Sequence, residues 1–238
     1  MKKTARSRAL LVAVSMAFSA VASADGDGSV HVTADRRGER VVVTIGNQPF
    51  AEYRTAGLDQ PSIWPIYNAD GEAMTRSYPL GPMLPAEQAD HPHHGSLWFA
   101  HGGVNGHDFW RPRDSGEPER ARRIVHRVYH AVTSGEVATV ESSNDWVSGS
   151  GRVCSDTRRC VFGQTPQADG PAVRWIDYTV TLHASEGDVE FADTKEGTLG
   201  FRVPGAMKAD AGYGGVLSTT DGATGAEAWA KTTPWALY

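Results

Sequence analysis

The sequence predicts an all-β fold, an antiparallel β-sandwich, and three observations carry that prediction. Apolar residues alternate with polar ones instead of recurring every three or four positions. Turn-forming pairs punctuate the chain at short intervals. No long helical period occurs outside the first residues. Successive side chains of a strand point to opposite faces, so strands need period two. Many short strands separated by regular turns fit a sandwich or barrel.

Residues 29–34 alternate, as do residues 40–45, which are rich in β-branched side chains. Over residues 123–132, Ile124, His126, Val128 and His130 share one face, and Val125, Arg127 and Tyr129 the other. Over residues 173–182, Ile176, Tyr178, Val180 and Leu182 oppose Trp175, Asp177, Thr179 and Thr181. Turn signals stand at Arg37-Gly38, Gly46-Asn47, Asp70-Gly71, Ser134-Gly135, Gly187-Asp188 and Asp221-Gly222. Two stretches read as irregular: residues 77–90, with Pro79, Pro82 and Pro85, and residues 111–120, with Pro112 and Pro118. They bracket a histidine-rich segment, which is therefore carried partly on loops, where sites usually lie.

The first 24 residues read as a secretory signal peptide. Lys2, Lys3, Arg6 and Arg8 precede an uncharged apolar run, and Ala22-Ser23-Ala24 forms a small-x-small cleavage site. The run is about 13 residues, shorter than the roughly 20 a spanning helix needs. Removing the leader takes away those four cations and moves the formal charge from -5 to -9. Such an acidic domain has no electrostatic reason to bind nucleic acid or anionic lipid. The expected product is a periplasmic or secreted protein with one β domain over residues 25–238. The chain ends in apolar, strand-like sequence, Trp235-Ala236-Leu237-Tyr238, which predicts a domain lacking its C-terminal part. Cys154 and Cys160 flank a polar stretch read as a loop, and in an oxidising compartment they are expected to form a disulfide.

Residues 90–110 carry five of the nine histidines: His91, His93, His94, His101 and His107. Imidazole exchanges protons near neutral pH and ligates borderline metals. Pro92 biases His91 towards an extended backbone, which predicts His91 and His93 on one face and His94 on the other. Residues 95–101 read as a strand with Leu97, Phe99 and His101 on one face and Trp98 and Ala100 on the other. Gly102-Gly103 and Asn105-Gly106 are turn signals, and Asp108 follows His107, where a carboxylate orients an imidazole. Trp98, Phe109 and Trp110 supply aromatic faces beside these polar groups, a composition that suits a sugar-binding cleft. A second candidate is residues 193–203, where Glu196 is placed to act as a general base and Arg202 to bind an anionic or polyhydroxyl ligand.

At these residues the chain resembles a family of secreted bacterial proteins labelled PmoA-like, or "methane oxygenase". The resemblance rests on Asp90-His91-Pro92-His93-His94, Leu97-Trp98-Phe99-Ala100-His101-Gly102, Val104-Asn105-Gly106 and Asp108-Phe109-Trp110. It continues through Lys195-Glu196-Gly197, Phe201-Arg202-Val203, Trp229, Trp235 and Tyr238, and covers residues from about 40 onward. Gly95 stands where that family usually has an arginine, and Gly103 where it usually has an acid; a further histidine-bearing segment of the family is absent. The label implies copper-dependent oxidation. Particulate methane oxidation is the work of membrane-embedded subunits, and the mature sequence has no apolar run of spanning length. The family's β-rich pattern is instead similar to the supersandwich of galactose-mutarotase-like proteins, which implies histidine and carboxylate acting as acid and base on a sugar.

The leading expectation is an exported carbohydrate-active protein. His94 and His101 protonate or orient a ring or glycosidic oxygen, and Glu196 is the base. His91, His93, Asn105, Asp108 and Arg202 bind the ligand, with Trp98 or Trp110 stacking. Its pH–rate profile is expected to be bell-shaped. A second reading is a zinc or copper protein with His91, His93 and His101 as ligands. A third is a non-catalytic glycan-binding module.

Overall fold

The computed structural model describes residues 31–111, 122–168, 170–209 and 213–238, together with the strand placement of residues 4–5 and 10–19. The strands are β1 (Thr4–Ala5), β2 (Leu10–Ser19), β3 (Val32–Arg37), β4 (Arg40–Ile45), β5 (Gln48–Arg54), β6 (Ser62–Ile66), β7 (Leu97–His101) and β8 (Arg123–Thr133). They continue with β9 (Ala138–Ser148), β10 (Gly151–Gln167), β11 (Gly170–His183), β12 (Val189–Glu190), β13 (Gly197–Phe201), β14 (Ser218–Thr219) and β15 (Ala236–Leu237). Among the described residues the only helices are two short 3-10 turns, Gly205–Met207 and Gly225–Ala228. No helix there is long and apolar enough to cross a membrane.

The all-β sandwich is present. One sheet has the order β2-β11-β10-β9-β8 and the other β13-β7-β6-β5-β4-β3, with antiparallel neighbours. Their facing sides share one apolar core. Phe50 meets Phe162 edge to face at 6.0 Å, and Phe99 meets Trp146 at 6.2 Å. Burying each such side chain stabilises the fold by roughly 1.5–3 kcal/mol. Residues 40–45 form β4 with the bounds the alternation predicts, and on β11 Ile176, Tyr178, Val180 and Leu182 are the buried set. β8 departs from strict alternation. Bulges between His126 and Val128 and between Tyr129 and Ala131 shift its register. Val128 is therefore left exposed, while Tyr129 packs against Tyr53.

Within the apolar run of the expected leader, β2 is placed along the outer edge of β11, from Val173↔Ser19 to Leu182↔Leu10. Pairing there satisfies the backbone groups of an otherwise open edge. Cleavage after Ala24 would remove this strand and make β11 the sheet's edge.

The expected disulfide is not formed. Cys154 and Cys160 are both free and buried. The residues between them are the middle of β10, not a loop, and they pair on both sides with β9 and β11. Six residues of strand separate the two thiols by roughly 20 Å, whereas a disulfide needs Cα atoms within about 7 Å. Both cysteines point into the core, as do Asp156, Arg158 and Phe162, which is period two written with charged residues. Burial pushes the Cys154 thiol up to about 12 and the Cys160 thiol higher still, and Asp156 adds to the rise in both. Thiolate is the reactive form, so both cysteines are expected to resist alkylation in the native protein. Mass spectrometry after denaturation without reductant should then show two alkylated thiols. A mass for an intact bridge would contradict this.

Asp156 and Arg158 form an ion pair with no exposed surface between the sheets. Arg158 donates to both Asp156 oxygens, to the Tyr178 hydroxyl at 2.9 Å and to the carbonyls of Pro61 and Phe99 at 3.1 and 3.3 Å. Asp156 also accepts from Asn144 Nδ2 at 2.6 Å and from Trp146 Nε1 at 2.8 Å. The guanidinium thus ties β10 to the backbone of the opposite sheet, next to Phe99 of β7.

Candidate functional site

β7 positions the site. Its side chains alternate, so Leu97, Phe99 and His101 face one way, with Phe99 in the core against Trp146, and Trp98 faces the other. The Trp98 indole is held against the neighbouring strand β13. A Cβ built on Gly200 would come within 2.2 Å of the Trp98 ring. Only glycine lets the indole lie that close, so Gly200 sets the depth of Trp98.

The segment carrying His91, His93 and His94 arches over this face as a turn rather than an extended run. His94 N–H donates to the His91 carbonyl at 2.9 Å, and His91 adopts φ 47°. Pro92, fixed near φ −65°, suits the second position of such a turn. The turn gathers all three rings. His91 stacks on His94 at 4.8 Å, and His93 meets His94 edge-on at 4.3 Å. His94 in turn stacks on Trp98 at 4.9 Å, and Trp110 tilts against Trp98 at 5.0 Å.

Charged groups ring this stack. Arg202 grips both oxygens of Asp90 at 2.9 Å and places Nη1 2.7 Å from His94 Nδ1. Buried Arg76 pairs with Asp90 at 2.9 Å and donates to the Gln88 carbonyl. Arg111 pairs with Glu196, which is itself 17 % exposed. Glu196 is seated over Gly102, whose N–H donates to the Glu196 carbonyl at 2.7 Å. Burial pulls the Asp90 carboxyl up, but the His91 hydrogen bond, Arg202 and Arg76 together hold it well below the usual carboxylate range. Burial, reinforced by His93, Arg202, His91 and Arg111, pushes His94 down to about 3. At neutral pH His94 is therefore an uncharged imidazole.

This geometry corrects several expectations. The structure does not bring His94 and His101 together. His101 lies on the opposite face of β7, with Nε2 bonded to the Ala192 carbonyl at 2.9 Å and its ring against Phe191. His91, His93 and His101 therefore do not assemble as one ligand set. Among the described residues, no three His, Cys, Asp or Glu side chains stand where one metal ion would be held. Trp98 and Trp110 offer no free face for sugar stacking, being 2 % and 7 % exposed. Asn105 braces the adjoining loop, bonding Asp188 O and Glu190 N–H. Asp108 accepts the Trp110 and Arg111 N–H groups at 2.9 and 2.8 Å and so turns the chain that carries them. His107 lies beside Phe109, outside the stack.

The structure does bring together His91, His93, His94, Glu196 and Arg202. Sequence reading missed Arg76, Arg111 and Glu87, whose carboxylate accepts the N–H groups of Ser77, Tyr78 and Leu84 and shapes the proline-rich loop. Arg111 had one signal, its place after Trp110 at the end of the histidine segment. Residues 77–90 contain no strand or helix, as expected, whereas residues 112–120 of the second irregular stretch lie outside the described residues. Gly95 is matched by packing: a Cβ there would fall 1.9 Å from Leu58 Cδ1, so Leu58 fills the space a side chain would need.

Fold and site together define an all-β sandwich protein with a histidine–arginine–carboxylate cluster on the segments that flank β7 and β13. The chain belongs to the family described as "Family of unknown function (DUF6807)", whose model matches residues 40–238. Neither a curated protein nor a solved structure matches it.

Proposed function

We propose that the protein is an exported carbohydrate-active protein, periplasmic or secreted, that works at this cluster on a sugar or glycoside. The observation that carries the reading is the convergence of Glu196 with the His94 stack: Arg111 holds the carboxylate, and the next residue back, Trp110, contacts His94 at 3.1 Å. Glu196 is the base. Arg111 orients it and lends it a cation that a ligand oxygen shares. His94 serves as a neutral hydrogen-bonding group on a ring or carbonyl oxygen, because an imidazole held down to about 3 is not a proton donor near neutral pH. His91, at 48 % exposure, and Arg111, at 34 %, mark the side open to a ligand. The resemblance to PmoA-like proteins and to galactose-mutarotase-like supersandwiches adds support by fold analogy alone.

The test is a turnover screen of the purified full-length chain against aldose anomers, uronic acids and aryl glycosides, followed by NMR. Turnover that Glu196→Gln removes supports the proposal. A folded protein that turns over none of them and binds none argues for abandoning it. Saturable binding without turnover reduces the protein to a glycan-binding module and removes the base role of Glu196.

A further inference from the structure

Among the described residues several donors of the cluster find no acceptor. Trp110 Nε1–H points at His94 Nε2 from 3.1 Å, and Arg202 Nη1 lies 2.7 Å from His94 Nδ1. Indole and guanidinium only donate, and a neutral imidazole accepts at one nitrogen only. One of these two contacts therefore sets an N–H against an N–H. In the same cluster the buried Trp98 Nε1–H and the Nε–H groups of Arg76 and Arg111 have no acceptor among the described residues. Among the described residues Asp90 serves both Arg76 and Arg202, and Glu196 serves Arg111. A buried unpaired donor costs about 1–3 kcal/mol, so an acceptor arriving at the open side, where the Arg111 side chain is 34 % exposed, is favoured.

From these unmet donors we infer that the site takes an acidic sugar, with the carboxylate of a uronic acid seated among Arg111, Arg202 and the His94–Trp110 pair. The inference rests on the sugar-directed reading above and narrows its substrate class. A planar carboxylate accepts two parallel N–H bonds from a guanidinium. It also allows His94 to turn its single N–H towards an oxygen, which relieves the opposed contact. The sugar hydroxyls then lie towards Glu196 and His91, the more open side. Arg111 is the anchor that can be altered most safely, because Arg202 and Arg76 also hold the Asp90 loop.

Isothermal titration of the full chain with glucuronate and galacturonate tests this, with glucose, galactose and inorganic sulfate alongside. The expected result is uronate affinity at least tenfold above that of the matching neutral sugar. It should weaken with added salt and fall about tenfold or more in Arg111→Gln. Arg111→Lys should recover part of the loss. Circular dichroism of both variants checks that the fold is kept. Equal affinity for neutral sugar and uronate overturns the inference and leaves the sugar-directed reading standing. Sulfate binding as tightly as uronate also overturns it, by reducing the site to a general anion site. No binding of any sugar, neutral or acidic, counts against both.

Discussion

Arg158→Ala is expected to lower the stability of the protein by about 3–5 kcal/mol, the cost of leaving a buried charge without its partner. In a domain of this size that lowers the melting temperature by roughly 6–20 °C. The reason is local. Asp156 has no exposed surface and its oxygens face Arg158, Asn144 and Trp146. Without Arg158 the carboxylate keeps two neutral donors and no counter-charge. The carbonyls of Pro61 and Phe99 and the Tyr178 hydroxyl lose a donor at the same time. Replacing both charges in Asp156→Leu/Arg158→Leu is expected to be less damaging than the two single effects added together, because no uncompensated charge is left. Urea unfolding followed by circular dichroism of the wild type, Asp156→Leu, Arg158→Leu and the double variant closes this cycle. A single substitution costing under about 1 kcal/mol would show that the pair does not lock the sheets.

The second large effect is on chemistry. Glu196→Gln is expected to lower kcat/KM on the substrate found by the turnover screen by 10²–10⁴-fold, the usual worth of a positioned base. The amide keeps the size of the side chain and its seat over Gly102, and Glu196 lies outside the apolar core. Stability should therefore change little. A loss of activity that tracks a loss of fold would place Glu196 in the structure and not in the reaction. His94 should contribute no limb to the pH–rate profile near neutrality, which revises the bell shape that the sequence alone suggests.

How far the sequence could be read depended on which force set each element. Where burial alone decides, as on β4 and β11, alternation reveals both the strand and its inner face. It fails on β10 because Asp156 and Arg158 carry charge into the core, and a run of polar residues looks like a loop until their mutual pairing is seen. The histidine segment was visible as a density of residues, but its shape was not. Pro92 is compatible with an extended chain and with a turn, and the His94–His91 hydrogen bond selects the turn. The alternation of β7 separates Trp98 from His101 correctly, and followed to its end it also separates His94 from His101. Arg76 belongs to no local pattern. It joins the site through Arg202, whose carbonyl accepts the Arg76 N–H at 3.0 Å, a contact between distant parts of the chain.

The state of His94 joins the geometry to the function. Its folded value lies below the usual 6.5, so the unfolded chain takes up a proton that the folded one refuses. This contribution to stability is complete above about 6.5 and is lost as pH falls towards about 3. Asp90, also lowered, adds a further loss in more acidic solution, and His126, lowered by burial, acts in the same direction as His94. The most direct measurement is the ¹⁵N NMR titration of the histidine ring nitrogens, with and without glucuronate. The His94 ring should stay neutral from pH 7 down to at least pH 4.5, and its nitrogen shifts should move when ligand is added at pH 7, while those of His101 hold still. A His94 that titrates near 6.5 and ignores every sugar would contradict the site.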